Sequence, residues 1–213
     1  MKKRSKVVLW ILGVVISILL VTIGGIYSYG NHLFNKIEKI EIDKSDVGIK
    51  DEVEEKLSAY SDSVINIALF GIDAEDGGVG RSDSIIIATI DTTHKKLKLT
   101  SIMRDSYVTI EGHGDDKINH AYAFGGPQLA IKTLNENFDL NIDDFVAVNF
   151  TTLPKIIDML GGVTIDITSE EVSHIPGIDA AGTYTLTGEQ ALAYSRIRYA
   201  SGGDYVRTDR QRT

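Results

Sequence analysis

Eight arginines stand in this sequence, and their placement is uneven. Five of them, Arg196, Arg198, Arg207, Arg210 and Arg212, lie in YSRIRYASGGDYVRTDRQR, residues 194–212. Arg81 and Arg104 sit in two other short polar motifs, GRSD and MRDS, and Arg4 belongs to a basic N-terminal tip. The remaining cations are lysines spread along polar segments. Lysine is a hydrated point charge, whereas the arginine fork grips phosphate or carboxylate through paired hydrogen bonds. Arginine reserved for three motifs suits a polyanion site; ion pairing with some of the 30 acidic residues is the competing use. Asp73 and Asp83 flank Arg81, and Asp105 follows Arg104 directly. Carboxylates interleaved with arginines at strand ends suit one task. The carboxylates hold Mg²⁺ or Mn²⁺, the metal bridges phosphoryl oxygens, and the arginines neutralise the remaining charge. Asp73 and Asp83 are the metal candidates. Their other readings are a turn aspartate among glycines for Asp73 and a cap for Asp83; for Asp105 a salt bridge to a neighbouring arginine is the competing role. Lys117 and Asn119, in KINHAYAFGG, are further ligand candidates because a polar stretch there adjoins an aromatic run; their alternative is a capped helix start. His120 of the same stretch is a weaker candidate for lining the site.

Several chemistries are set aside. The glycine-rich stretch 71–80 lacks the G-K-[ST] element of a P-loop, and there is no G-x-S-x-G nucleophile elbow. The five histidines show no H-x-x-x-H spacing for zinc, and the absence of cysteine removes disulfides and cysteine–zinc sites. Residues 1–30 hold four cations and no acid, which leaves 18 cations against 30 acids in the rest. Such an acidic body does not bind nucleic acid through its general field. The arginines must form a local site in a negative surround, which a shared divalent metal would ease.

The elements that would carry these residues follow in order. Val7–Tyr29 contains no charge, and at ~1.5 Å per residue its 23 residues reach ~35 Å, enough to cross a bilayer. A cleaved signal peptide is the rival, but no clear small-x-small site follows Ile23. The expected organisation is a cytoplasmic tail (1–6), a signal anchor (7–29), an extracellular stem (30–63) and a catalytic domain (64–213), a single-pass type II topology in the cell membrane. Within the domain, strands are expected at 64–72, 84–91, 97–102, 145–150, 163–167 and 182–186. Residues 103–126 read as irregular, 127–138 as a helix opening on Pro127, and 152–160 as a helix with Thr152 as its cap. Thr187 and Gln190 have capping-box spacing, which places Arg196 at or near a helix end. Several links are too short for parallel crossovers, so the fold class expected is α/β, a mixed central sheet flanked by helices as in an α-β-α sandwich.

The motifs NIALFGID, GRSDSIIIATID, LTSIMRDSYV, KINHAYAFGG, GGVTIDI, TLTGEQALAYSRIRY and GDYVRTDRQR, in that order over residues 64–213, resemble the LytR-CpsA-Psr family of membrane-anchored cell-wall ligases. The resemblance implies a phosphotransferase that moves a glycopolymer, such as wall teichoic acid or capsule, from an undecaprenyl-pyrophosphate carrier to peptidoglycan. It implies an α-β-α sandwich with an apolar channel for the polyprenyl chain, for which Ile86, Ala88, Val148 and Leu192 are candidates. By position, Asp73 and Asp83 match the family's magnesium-linked aspartates. Arg81, Arg104, Arg196, Arg198, Arg207 and Gln211 match its pyrophosphate-binding residues, and Asp204 an acidic position that orders the arginine loop. Arg210 and Arg212 read as helix-surface or ion-pairing residues. Family members continue beyond the point where this sequence stops, so a fragment or a truncated gene is expected. A polyprenyl-pyrophosphate phosphatase and a non-catalytic lipid-phosphate binding or regulatory module are the rival functions.

Overall fold

A computed structural model of the chain describes residues 20–25, 27–28, 39–58, 63–74, 80–197 and 210. The chain divides into two compact units, Met1–Glu41 and Ile42–Thr213. In the first, residues 20–25 and 27–28 are helical, and Leu20, Val21, Ile23 and Tyr27 are exposed. Among the described residues no helix is long and apolar enough to cross a membrane; the tail and most of the expected span lie outside them.

The second unit is built on a four-stranded sheet in the order β3-β2-β1-β6, from β1 (Val64–Ile72), β2 (Ser82–Asp91), β3 (Lys96–Ile102) and β6 (Asp144–Asn149). β1 and β3 run antiparallel to β2, while β6 runs parallel to β1, so the sheet is mixed as expected. Two small antiparallel pairs accompany it: β4 (Tyr107–Ile110) with β5 (Gly114–Lys117), and β7 (Val163–Ile167) with β8 (Gly182–Leu186). The register aligns Ala68 with Ile87 and Phe70 with Ile85, and these side chains bury one face of the sheet. They meet Ala121, Ala130, Ile131 and Leu134 of helix α2 (Ile118–Phe138). The Phe70 ring sits edge-on to Tyr122 at 5.3 Å. Each of the larger side chains here, Phe70, Ile85, Ile87, Ile131 and Leu134, contributes roughly 1.5–3 kcal/mol of apolar burial. On the other face the register groups Leu69, Ile86 and Val146, and Ala88 with Leu99. Here Ile65, Leu97, Leu99 and Val146 stay exposed.

Helix α2 is longer than the sequence suggests. It begins at Ile118, within the stretch expected to be irregular, and breaks at Gly125 and Gly126, where φ reaches 62°. Pro127 then opens the second half, the part legible in sequence. The hairpin β4–β5 was likewise not expected.

The domain begins earlier than Val64. Residues from Ile42 onward, including α1 (Asp51–Ser58), belong to the compact unit, and Val47 is buried in its core. Asn135, fully buried, explains the attachment: its amide donates to the carbonyls of Val47 (2.7 Å) and Ile142 (2.8 Å) and accepts from the Ile142 N–H (2.9 Å). Lys132 adds ion pairs to Asp46 and Glu111; both carboxylates accept from its ammonium and stabilise the charged form, so its pKa is raised.

A second core lies between β7–β8 and α4 (Gly188–Ser195), formed by Ile165, Ile167, Ile175, Leu186, Ala191 and Ile197. α3 (Thr152–Met159) adds Ile157. At its edge Arg210 donates through Nε to Glu171 (2.7 Å), both side chains being buried, and through Nη1 to the carbonyl of Ile197 (3.4 Å). Arg210 is thus an ion-pairing residue, one of the two roles read from sequence. Burial pushes the Glu171 carboxyl up, but the donors of Thr168 and the Arg210 guanidinium outweigh it and hold its pKa below the ordinary value. A depressed carboxyl stabilises the fold above its unfolded pKa, and this contribution is lost as pH falls through the depressed folded value. Arg210→Ala leaves a buried charge unpaired and should cost about 3 kcal/mol in urea unfolding at pH 7. Glu171→Gln should narrow the gap between stability at pH 7 and at pH 3; an unchanged gap would remove the pair from the acid response.

Candidate functional site

The loop end of the β1–β2 hairpin brings two aspartates together. The N–H groups of Asp73 (2.9 Å) and Asp83 (3.1 Å) both donate to one acceptor, the carbonyl of Arg81. A register shift after Gly71 pairs Gly71 with Ser84 and Ile72 with Ser82, which leaves Asp83 as the extra residue of a bulge. Bulges re-aim side chains at sheet ends, and this one frees Asp83 from the ladder. Gly80 is required here, because a Cβ would lie 2.7 Å from the Asp73 carbonyl oxygen and 2.8 Å from Ala74.

Asp83 is then fixed from two sides. Arg104, in the turn after β3, donates through Nη1 to its Oδ2 at 2.8 Å, and Asn119 donates through Nδ2 to its Oδ1 at 3.2 Å. Arg104 also pairs through Nε with Asp105 (3.4 Å), and Lys117 donates to the other oxygen of Asp105 at 2.6 Å. The Lys117 contact, aided by the Arg104 charge, lowers the Asp105 pKa against the opposing effect of burial. The salt bridge weighed for Asp105 is therefore present. The start of α2 is held by the same turn: the Ile118 N–H donates to the carbonyl of Ser106 (2.8 Å) and the Asn119 N–H to that of Arg104 (3.2 Å). Lys117 is the cap residue but makes no side-chain cap bond, so the helix start is satisfied by tertiary contacts instead. His120 turns aside to Asp116 (2.8 Å) and the Phe124 ring.

The residues fit a hard divalent cation. Asp73 and Asp83 supply carboxylates from adjacent backbone positions, and Mg²⁺ takes one or two of these among oxygen ligands. Asn119 is 4% exposed and its Oδ1 is buried without a partner, so an oxygen is left wanting a positive group beside Asp83. Among the described residues no group of three or more His, Cys, Asp or Glu could enclose a metal by itself.

Arg196 reaches the same edge from the other side. β6 runs parallel to β1 with Asn149 opposite Ile72, so Phe150 and Asp73 follow neighbouring strand ends. The Arg196 guanidinium lies over the Phe150 ring, 4.2 Å from its centroid. The capping box of Thr187 and Gln190 is present, and Arg196 is the C-cap of α4, as its spacing predicts. α4 is seated by Gly188, whose N–H donates to Asp158 of α3 at 2.7 Å. Thr152 is not the cap of α3. The cap position is Thr151, which makes no side-chain cap bond, and the side chain of Asn149 serves instead, its Oδ1 accepting from the N–H groups of Thr151 (3.0 Å) and Thr152 (2.8 Å). Asn149 and Phe150 were missed in the sequence; the N-x-T-T-x-P pattern before α3 was the signal available.

Asp73, Arg81, Asp83, Arg104, Lys117, Asn119 and Arg196 thus share one edge of the sheet. Arg198, Asp204, Arg207 and Gln211 lie outside the described residues. Arg104 is committed to carboxylates, but Arg81 and Arg196 are exposed and form no ion pair among the described residues.

The sequence model of the LytR_cpsA_psr family matches residues 28–213. A polyisoprenyl-teichoic acid–peptidoglycan teichoic acid transferase, TagU of Oceanobacillus iheyensis, is 37% identical over 99% of this chain and 68% of its own length. The regulatory protein MsrR of Staphylococcus aureus is 40% identical over 71% of this chain and 47% of its own. A solved structure of the family protein YwtF (TagT) with bound octaprenyl pyrophosphate superposes with a TM-score of 0.61 at 36% identity, covering 70% of this chain and 61% of that one. The chain thus spans about two thirds or less of the length of these proteins.

The contact that seats α4, and with it Arg196, is open to a direct test. A Cβ on Gly188 would lie 2.1 Å from the Pro154 carbonyl oxygen. Alanine favours a helix over glycine by at most ~1 kcal/mol, whereas forced overlap costs about 1–3 kcal/mol. Gly188→Ala should therefore lower the urea midpoint, while Glu189→Ala on the exposed neighbour should stay within about 0.5 kcal/mol. A neutral or stabilising Gly188→Ala would mean the two helices are not in contact.

Proposed function

Since the chain belongs to the LytR_cpsA_psr family, we propose that it is a glycopolymer–peptidoglycan transferase whose arginine edge binds the pyrophosphate of a polyprenyl-linked polymer such as teichoic acid. The observation that carries this reading is the pair of exposed arginines, Arg81 and Arg196, which form no ion pair among the described residues and stand beside two aspartates in an acidic chain. Thirty acidic residues offer partners, so guanidinium groups left without them at one site suit an anion from outside. The TagU relative's name and the pyrophosphate lipid in the YwtF structure support the same substrate class.

In this mechanism Arg81 and Arg196 grip non-bridging oxygens of the diphosphate, with Arg198, Arg207 and Gln211 as further ligands and Asp204 ordering their segment. Asp73 and Asp83 would hold Mg²⁺ or Mn²⁺, which supplies electrostatic stabilisation of phosphoryl oxygens when bound. Arg104 and Asn119 keep Asp83 at one orientation, and Lys117 does the same for Asp105. A hydroxyl of the peptidoglycan sugar attacks the sugar-bearing phosphorus, the bond to the bridging oxygen breaks, and polyprenyl phosphate (undecaprenyl phosphate in the cell) departs. The hydroxyl proton passes to a nearby carboxylate. The lipid lies along the sheet face that carries Ile86, Ala88 and Val148, with Leu192 on α4. Residues 7–29 anchor the protein in the cell membrane with its domain outside, where carrier and acceptor meet.

The MsrR relative's name favours one rival, a regulatory module that binds the lipid phosphate without turning it over. Arg81→Ala and Arg196→Ala should each reduce transfer of labelled lipid-linked polymer to peptidoglycan by about 100-fold or more, with unfolding midpoints unchanged. Tight binding by the wild type with no transfer would favour the regulatory module. Release of free polymer in place of the peptidoglycan conjugate would indicate a phosphatase.

A further inference from the structure

Among the described residues, Arg196 is the one of these two arginines that rests on an aromatic ring. Its guanidinium carbon stands 4.2 Å from the centroid of Phe150, on the ring face, within cation–π distance. The backbone that carries the ring is itself held. Phe150 is clasped between Asn149 and Thr152, whose side chains each take a backbone N–H of the other: Thr152 N–H to Asn149 Oδ1 at 2.8 Å, and Asn149 N–H to Thr152 Oγ1 at 2.9 Å. This clasp joins the end of β6 to the start of α3, and β6 is tied by its ladder to β1, which ends at Asp73. The arginine arrives from α4, whose seat on α3 is set by the Gly188–Asp158 bond. The stack is therefore where two elements, both seated on α3, close on each other.

We propose that Phe150 is a positioning residue of the anion site, setting the guanidinium plane of Arg196 before the diphosphate arrives; this deepens the transferase reading and rests on it. A benzene face presents negative potential and has no donor, so Phe150 has nothing to offer a phosphate directly. It acts through the cation. Stacking uses the π face of the guanidinium, whereas phosphate takes the N–H groups in its plane, so the two contacts do not compete. A free arginine loses rotamer freedom when it closes on an anion. An arginine already resting on a ring has lost part of that freedom in the unliganded state, and its affinity rises accordingly.

The test uses the full-length chain in detergent and two probes, inorganic pyrophosphate and geranylgeranyl pyrophosphate, with affinity read by calorimetry. Fluorination drains the ring's quadrupole with little change of shape. Replacing Phe150 with mono-, di- and trifluorophenylalanine should weaken both probes step by step, to a total of roughly two- to fivefold, the factor an exposed cation–π contact implies. Phe150→Leu should give a loss of the same size with its unfolding midpoint unchanged, and Phe150→Trp should restore or exceed wild-type affinity. In an Arg196→Met background, Phe150→Leu should add nothing. The side-chain protons of Arg196 should show an upfield ring-current shift that Phe150→Leu abolishes. Wild-type binding with a flat fluorine series, or an equal loss from Phe150→Leu with and without Arg196, would overturn the role of Phe150 alone. No pyrophosphate binding by the wild type, with the ring-current shift intact, would overturn the anion site and with it any role for Phe150 there.

Discussion

The candidate site depends on the way Asp83 is confined. A carboxylate with little solvent is costly unless it is paired and hydrogen-bonded, and here a guanidinium takes one oxygen and an amide the other. Those two donors come from separate elements, the turn after β3 and the first turn of α2. One side chain on β2 therefore sets the relation of three elements at the sheet edge. The backbone repeats the arrangement, since the Arg104 carbonyl accepts the Asn119 N–H. Removing the Asp83 charge would take from Arg104 its 2.8 Å partner and leave the longer contact to Asp105, which Lys117 already holds.

Around this anchor the charges divide into two populations. Arg104 and Lys117 are satisfied within the protein, and Arg210 is satisfied away from the site by Glu171. Arg81 and Arg196 are not satisfied by carboxylates among the described residues. An acidic chain would ordinarily pair such groups, because an exposed ion pair forms at little cost even though it contributes little. The paired cations shape the edge, and the unpaired ones leave capacity at it. Arg196 keeps its position without a carboxylate because an aromatic ring offers attraction that carries no net charge.

Much of the fold was legible because its strands are apolar runs of the right length bounded by turns. β1, β7 and β8 begin and end where the sequence places them, and the mixed sheet follows from links too short for crossovers. The first half of α2 was not legible. Its helix start has no side-chain cap and is satisfied by the carbonyls of Arg104 and Ser106, which no local pattern records. The domain boundary was drawn too late for a similar reason: the residues around Val47 are polar in sequence, and only Asn135, far along the chain, draws their backbone inside. At the site, the residue types named the charged groups. Phe150 and Asn149 escaped because an aromatic and an amide next to a helix start look like ordinary packing and capping until the strand register sets them beside Asp73.

The interruption at Gly125 and Gly126 splits α2 between two duties. Its first half packs Ile118 and Ala121 into the core and also carries Asn119 to the charged edge, while its second half carries Ala130, Ile131, Leu134 and Asn135 into the core. A continuous helical ladder would make both halves open and close as one cooperative piece. With the ladder cut, opening of one half does not by itself force opening of the other. The glycine pair thus works as a mechanical fuse between the end of the helix nearest the charged edge and the end that holds Asn135.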